Sequence, residues 1–441
     1  MTTSPARRAA FQVLRRVELE GAYASVLLAG LDREMREDDR SLCHELVLGV
    51  LRRQSWLDRL IEHFAKPSLD KIDLPVKLAL RLGLYQLRFL SRIPSSAAVN
   101  ESVNLVRAAG LRSAASFANA VLRHAAREPD YDPASGIEGA AEKLAIETSH
   151  PLWLIERWTS AFGFAETAAL ARANNEPAPV AFRFTQRGKD PELIIADLES
   201  KGAQVSPSKI APHAWRVTGA GGAVRDLSRD GLIYLQDEAS QLVAHLLGVQ
   251  PGDRVLDVCA APGSKTTQLA ALAPQALIIA GDLHAHRLRT LGELAQQQDA
   301  YNIAPVACDA AQRLPFVEAS FDRVLVDAPC SGTGTLRRHP EIRWRLNPAD
   351  VVELSSKQIS ILGNAAAVVR PGGRLVYSTC ALEREEDEMV VERFAKEHDE
   401  FAQVRLAAGN DLQTETGAIR TWPHRDGTDS FFVAAFERRR S

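Results

Sequence analysis

At 441 residues, 46% hydrophobic and 25% charged, the chain has the composition of a folded globular protein with room for two or three domains. Its net charge of −3 argues against a general polyanion binder, no apolar run approaches the ~18 residues of a membrane span, and the opening MTTSPARRAAF lacks the apolar core of a secretory signal. Five scattered cysteines form neither a disulfide framework nor a zinc-ligand spacing, so a cytoplasmic protein without membrane or metal, working as a monomer, is expected.

In chain order, Ser4 and Pro5 open a helix whose Phe11, Leu14 and Val17 share one face and which Gly21 ends. Helical patterns follow over Leu27–Leu31, over Leu42, Leu46, Val50, Trp56, Leu60 and Ile61, and over 74–89, 98–109 and 113–124. No strand pattern interrupts them, so residues 1–132 read as an all-α bundle. Arg81, Arg88, Arg92, Arg107, Arg112 and Arg123 decorate its later helices. Residues 1–130 carry 20 Lys and Arg against 15 Asp and Glu, while the remainder carries 33 against 41. A basic helical half joined to a mildly acidic one suits an RNA-binding appendage on an enzyme. With the segments IPSSAAVNESVNLVR and SFANAVLRHA, this order of helices resembles the NusB family of RNA-binding antitermination factors. The resemblance implies RNA contact by this domain.

Tyr131 to Gly136 form a linker of turn residues. A small α+β subdomain is expected over 145–228: a helix with Trp153 and Trp158 as core residues, the strand VAFRF, the helix PELIIADLES and the strand AWRV. From 229 to 441 strand and helix alternate, the pattern of a doubly wound α/β sheet. Its opening stretch is RVLDVCAAPGSK, 254–265, a buried strand, a turn of small residues and a helix start. Later strands run to Asp282, Asp309 and Asp327, and a last one ends in Ser378, Thr379 and Cys380. The carboxyl ends of such strands line the ligand crevice.

Asp282 lies 25 positions after Asp257, close to the spacing at which a carboxylate accepts from a ribose diol. Asp309, one strand on, can meet an adenine amino group. The first loop is neither GxGxxG nor GxxxxGK[ST], and a compact loop beside Lys265 suits the carboxylate of S-adenosylmethionine. DAPCSGTG, 327–334, and YSTC, 377–380, fall on neighbouring strands if the strand order is 3-2-1-4-5. Cys330 and Cys380 then share one edge of the crevice. Methylating carbon 5 of a pyrimidine needs a cysteine, because a thiolate added to carbon 6 turns carbon 5 into an enamine nucleophile. Asp327 near ring N3 assists that addition. Which cysteine attacks is open from spacing alone.

CAAPGSKT, DAPCSGTGTLRRHPEIRW and YSTCALEREEDE look like the motifs of the RNA cytosine-5 methyltransferases, and with the NusB-like domain the whole chain resembles the RsmB (Sun) family, which acts on small-subunit ribosomal RNA. The resemblance implies a Rossmann-like class I methyltransferase domain using S-adenosylmethionine. It makes Cys380 the nucleophile, Cys330 the residue that releases product and Asp327 an assistant at the base. It assigns Cys259, Ala260, Ala261, Pro262, Gly263, Ser264, Lys265, Asp282, Asp309 and Asp327 to the cofactor.

Two departures stand out. Ser264 replaces a family glycine and is free to cap the next helix, and Ser430 in TDSFF replaces another glycine outside the chemistry. Lys265 and the run Arg337, Arg338, Arg343 and Arg345, with His339 and Trp344 among them, suit an RNA clamp. The acids of 383–388 read as a helix start, and His284 and His286 as helix surface. Shared catalytic motifs leave transfer RNA open as the substrate. A non-catalytic RNA-binding assembly or antitermination factor is disfavoured because Lys265, Asp327, Cys330 and Cys380 are all present.

Overall fold

The structure is a computed structural model and describes residues 3–31 and 35–440. The chain divides into two compact units, one of Met1–Pro177 with Leu336–Arg345, the other of Ala178–Thr335 with Leu346–Ser441.

The first unit is all-helical: α1 (Pro5–Glu20), α2 (Ala24–Leu31), α3 (Glu37–Arg52), α4 (Gln54–Phe64), α5 (Leu74–Phe89), α6 (Ser95–Ala108) and α7 (Ala115–Arg127). Gly21 ends α1 at φ 65°, as its sequence implies, while Ser4 makes no side-chain cap bond. Helix α5 is buried almost all round, from Val76 to Gln86, which makes it the centre of the bundle. It also meets α3 closely: a Cβ on Gly49 would lie 2.0 Å from the Tyr85 ring, so a larger residue there would have to displace that ring. Arg81 is no surface residue. Only 5% exposed, its side chain forks onto Asp58 and reaches Glu18, spending its charge inside the bundle.

Helices α8 (Ala140–Thr148), α9 (Leu152–Phe162) and α10 (Phe164–Ala173) also belong to this unit, with Trp158 fully buried. Within the expected subdomain of 145–228, the first helices and the sheet fall into different compact units. Its helical first part goes with the bundle, and a sheet begins only after Ala178.

That sheet contains β1 (Val180–Phe184), β2 (Gln204–Pro207), β3 (Ala214–Thr218) and β4 (Ile233–Leu235), with α11 (Pro191–Ser200) and α12 (Gly221–Arg229) between them. The order β2-β3-β1-β4, antiparallel throughout, is that of a ferredoxin-like βαββαβ unit. Strands β2 and β4 went unread in the sequence because they are short and half-exposed.

After α13 (Glu238–Leu247) come β5 (Arg254–Asp257), α14 (Ser264–Leu272), β6 (Leu277–Asp282), α15 (Ala285–Gln297), β7 (Ile303–Ala307), β8 (Phe321–Asp327), β9 (Val369–Thr379), β10 (Phe401–Val404), β11 (Ile419–Arg420) and β12 (Phe432–Arg438). They order as β10-β12-β9-β8-β5-β6-β7, parallel from β7 to β9 and antiparallel at β12. The expected 3-2-1-4-5 order is present as β7-β6-β5-β8-β9. Side chains alternate between the two faces. Val255, Ile278, Leu325 and Val376 enter one core, and Leu256, Val324, Val326, Leu375 and Tyr377 the other. The order reverses between β5 and β8, so the crevice opens at the carboxyl ends of those strands.

Candidate active site

The loop after β5 turns tightly into α14. Gly263 sits at φ 114°, and a Cβ there would lie 2.9 Å from Leu291, so this position requires glycine. Ser264 is the first helical residue and does not cap; the cap position is Gly263. Thr266 Oγ1 donates to Asp257 Oδ2 at 2.8 Å. Asp257 is fully buried, and burial, with the Asp327 charge adding to it, pushes its carboxyl up to about 7. Its Oδ1 has no hydrogen-bond partner among the described residues.

At the end of β6, Asp282 accepts from the Ala261 N–H at 3.3 Å and the His284 N–H at 2.9 Å. Arg287 lies 3.4 Å from that carboxylate and donates to Ala261 O. Asp309 stands two residues past the end of β7 and accepts from the Ala311 N–H at 2.9 Å. Asp257, only a spacing mark in the sequence, and Arg287, not singled out there, join the site. The first is one polar residue inside an apolar strand run, and the second is one arginine on a helix. His284 and His286 are exposed, as expected.

Strands β8 and β9 are neighbours in register, Asp327 opposite Ser378. Asp327 Oδ2 is 2.7 Å from Lys265 Nζ, and its Oδ1 accepts from Ser378 Oγ at 2.8 Å. Lys265 Nζ also lies 4.8 Å from the Phe431 ring centre. Burial works against the lysine's charge, but Asp327 outweighs it and the net shift is upward. The Cys380 sulfur lies near enough to add to that effect.

The Cys330 and Cys380 sulfurs are 3.4 Å apart, and the Cys380 N–H donates to Cys330 Sγ at 3.3 Å. Hydrogen bonding to Cys380, burial and the Glu386 carboxylate push the Cys330 thiol up. A raised pKa makes the Cys330 thiolate, once formed, a stronger base than an ordinary one. Burial likewise pushes up Cys259 and Cys308, and Cys43 is buried in the bundle.

Three expectations need correction. The acids after Cys380 do not simply begin a helix: the next helix starts at Glu388, Glu383 and Glu386 are buried beneath the Cys330 loop, and Asp387 is buried against Thr379 and Arg420. Ser430 is not remote either. Its N–H donates to Gly334 O, and the Gly334 N–H donates to Cys380 O at 2.8 Å. A Cβ on Gly334 would lie 2.4 Å from Ser430 O, so the two strand ends close on a glycine.

The third correction concerns the basic run. Arg343 is fully buried and donates to Ser149 O at 2.8 Å and Asn175 Oδ1 at 3.1 Å. Arg345 donates to Val17 O, Gly21 O and Ala22 O, and Arg337 to Pro177 O. Arg343 and Arg345 are thus spent mostly on helix-end carbonyls of the first unit, and Arg337 on a loop carbonyl there. Arg338 is half-buried beside them. Of the bundle arginines, Arg92, Arg107, Arg112 and Arg123 face solvent.

Comparison with known proteins matches three stretches of the chain. The profile of the 16S rRNA methyltransferase RsmB/F family matches residues 244–437, that of the NusB family 4–127, and that of an RsmF/B-like ferredoxin-like domain 150–224. The chain is 34% identical over 451 residues to the probable ribosomal RNA small subunit methyltransferase B of Bacillus subtilis, covering 100% of each. It is 32% identical over 430 residues to ribosomal RNA small subunit methyltransferase B of Erwinia tasmaniensis, covering 96% of each. Among solved structures, that of PH0851 superposes with a TM-score of 0.85 at 28% identity, over 99% of this chain and 100% of that one.

Proposed function

The chain belongs to the ribosomal RNA small subunit methyltransferase B family, and from that premise we propose that it moves a methyl group from S-adenosylmethionine to carbon 5 of a cytosine in 16S ribosomal RNA. The observation that carries this reading is the pair of sulfurs 3.4 Å apart, beside the Lys265–Asp327 ion pair, at the carboxyl edge of β8 and β9.

The residues present fit the cofactor. Asp257 offers a buried unpartnered oxygen to an ammonium group, and the small Ala260, Ala261 and Gly263 leave room for a ligand backbone. Asp282 keeps spare lone pairs for a ribose diol, because a carboxylate has about four acceptor sites. When bound, the cofactor supplies an electrophilic methyl group.

The remaining work falls to this chain. Cys380 gives its proton through Asp327 to ring N3 and adds as thiolate to carbon 6 of the base. The Lys265–Asp327 pair holds the proton at ring N3, so the ring's electron pair is directed to carbon 5. After transfer, Cys330, its own thiol proton lost to solvent, takes the proton from carbon 5 as a thiolate; the ring double bond re-forms, Cys380 leaves as thiolate, and the N3 proton returns to it through Asp327. The exposed arginines of α6 and α7 (Arg107 and Arg123), with Arg92 and Arg112, supply the contact of the NusB-like domain with RNA phosphates. On this reading the enzyme acts as a monomer in the cytoplasm.

The test is nucleoside analysis by mass spectrometry after incubation with methyl-labelled S-adenosylmethionine. Unmodified small-subunit rRNA and bulk tRNA are offered in parallel. Label in 5-methylcytidine from the rRNA is the expected result. Label on another atom removes the chemistry, and label only in tRNA removes the substrate.

A further inference from the structure

Cys330 is held on both sides by one pair of buried side chains. Glu386 Oε1 accepts the Ser331 N–H at 2.9 Å and Gln358 Nε2 at 2.9 Å. Gln358 Nε2 also donates to Pro329 O at 2.9 Å. The peptide groups before and after Cys330 are thereby tied to a single carboxylate. Glu383 fixes the next turn, its Oε2 accepting from Ser331 Oγ and Thr333 Oγ1. Tyr377 OH in turn donates to the backbone carbonyl of Glu386, anchoring the clamp to β9.

This arrangement costs stability. Burial pushes the Glu386 carboxyl up to about 7, and its Oε2 has no hydrogen-bond partner among the described residues. A well-packed apolar pair of the same size would serve folding as well or better. What the carboxylate and the amide do that an apolar pair cannot is set the position of two specific peptide groups. The residue between those groups is the cysteine whose sulfur lies 3.4 Å from Cys380.

We propose that Glu386 is a positioning residue for product release, holding Cys330 where it can take the proton from carbon 5 once the methyl group has been transferred. The inference rests on the cytosine-5 reading above. In the step concerned, Cys330, having lost its own proton to solvent once Cys380 is bound to the base, gains the proton on carbon 5 as a thiolate. The electron pair of that C–H bond forms the carbon 5–carbon 6 double bond, and the bond from carbon 6 to Cys380 breaks with its electrons on sulfur. Adduct formation and methyl transfer, which use Cys380, Lys265 and Asp327, do not need the clamp.

The experiment compares full-length Glu386→Ala, Glu386→Gln, Gln358→Leu and Cys330→Ala proteins with S-adenosylmethionine and small-subunit rRNA. Single-turnover transfer, multiple-turnover rate, protein–RNA adduct on denaturing gels and thermal unfolding are read for each. Glu386→Ala is expected to transfer one methyl group at close to the native rate, to accumulate adduct, and to turn over about 100-fold more slowly, the scale of a 1 Å misplacement. Glu386→Gln keeps an acceptor for the Ser331 N–H and restores turnover to within about tenfold, the difference between a charge-assisted and a neutral hydrogen bond. Gln358→Leu is expected to accumulate adduct too, and it decides the matter if Glu386→Ala fails to fold.

A folded Glu386→Ala protein that releases product at the native rate overturns the proposal. So does one that loses transfer and release together. Adduct in Cys330→Ala but not in Glu386→Ala or Gln358→Leu rejects the positioning role alone. No adduct in Cys330→Ala removes the cytosine-5 reading, and the proposal with it.

Discussion

Replacing Arg343 by alanine separates a structural arginine from an RNA-binding one. Its guanidinium is fully buried without a carboxylate partner among the described residues, and burial, with Arg52 and Arg53 adding to it, lowers its pKa to about 9. It makes two short bonds, to Ser149 O at 2.8 Å and Asn175 Oδ1 at 3.1 Å, and longer ones to the carbonyls of Arg52, Thr148 and Asn174. Bonds from a charged donor are worth about 1.5–3 kcal/mol each, so the two short ones supply about 3–6 kcal/mol. Removing the buried cation returns part of its desolvation cost, which leaves a net loss of about 3–5 kcal/mol. In a unit of this size that lowers the melting temperature by about 10 °C. Thermal unfolding of Arg343→Ala followed by circular dichroism reads the shift. Fluorescence anisotropy with rRNA at several salt concentrations reads affinity, which is expected to match the native protein below the transition. An unchanged melting temperature, with weaker binding and a salt slope reduced by about one, would refute the argument and return Arg343 to the phosphates.

Three further predictions follow from the same structure. His150 and His339 are held neutral by burial, His339 down to about 4, so between pH 6.5 and 4 the unfolded chain takes up protons that the folded one refuses. Stability from each is complete above about pH 6.5 and falls by about 1.4 kcal/mol per pH unit below it; urea melts of native and His339→Asn proteins should differ by one such slope, and parallel curves would contradict this. Lys265→Met removes the cation 2.7 Å from Asp327 and should slow single-turnover methyl transfer by about 100-fold or more, whereas a native rate would take the ion pair out of the chemistry. Diamide, a two-electron thiol oxidant, should join Cys330 to Cys380 and abolish transfer until dithiothreitol is added; peptide mapping that finds both thiols free in the inactive protein would oppose that.

Much of the fold is legible because its elements announce themselves locally. Helix α5 begins after Asp73 with a proline in its first turn, α11 likewise after Asp190, and β5, β6 and β8 are apolar runs with acids at their ends. Strands β10, β11 and β12 were not read: β10 and β11 are only four and two residues long, and β12 pairs antiparallel with no helix between it and β11. At the site, the chemistry of Lys265, Asp327, Cys330 and Cys380 is carried by residue type, and the neighbouring strands bring the four together. Charge runs misled for a physical reason. Consecutive acids or arginines look like solvated surface until the fold supplies buried partners for them. For Glu383 and Glu386 those partners lie about 50 positions upstream on the Cys330 loop, a separation that no local pattern reveals. For Arg343 they are helix-end carbonyls, which every helix has and no sequence displays.

The central claim is that Cys380 attacks the base and Cys330 releases it. Its most direct test mixes Cys330→Ala and Cys380→Ala proteins with S-adenosylmethionine and unmethylated small-subunit rRNA, then separates the mixtures on a denaturing gel. A protein–RNA adduct that survives denaturation in Cys330→Ala and is absent in Cys380→Ala is the predicted result. An adduct in Cys380→Ala, or in neither variant while the native enzyme transfers methyl groups, would contradict the account.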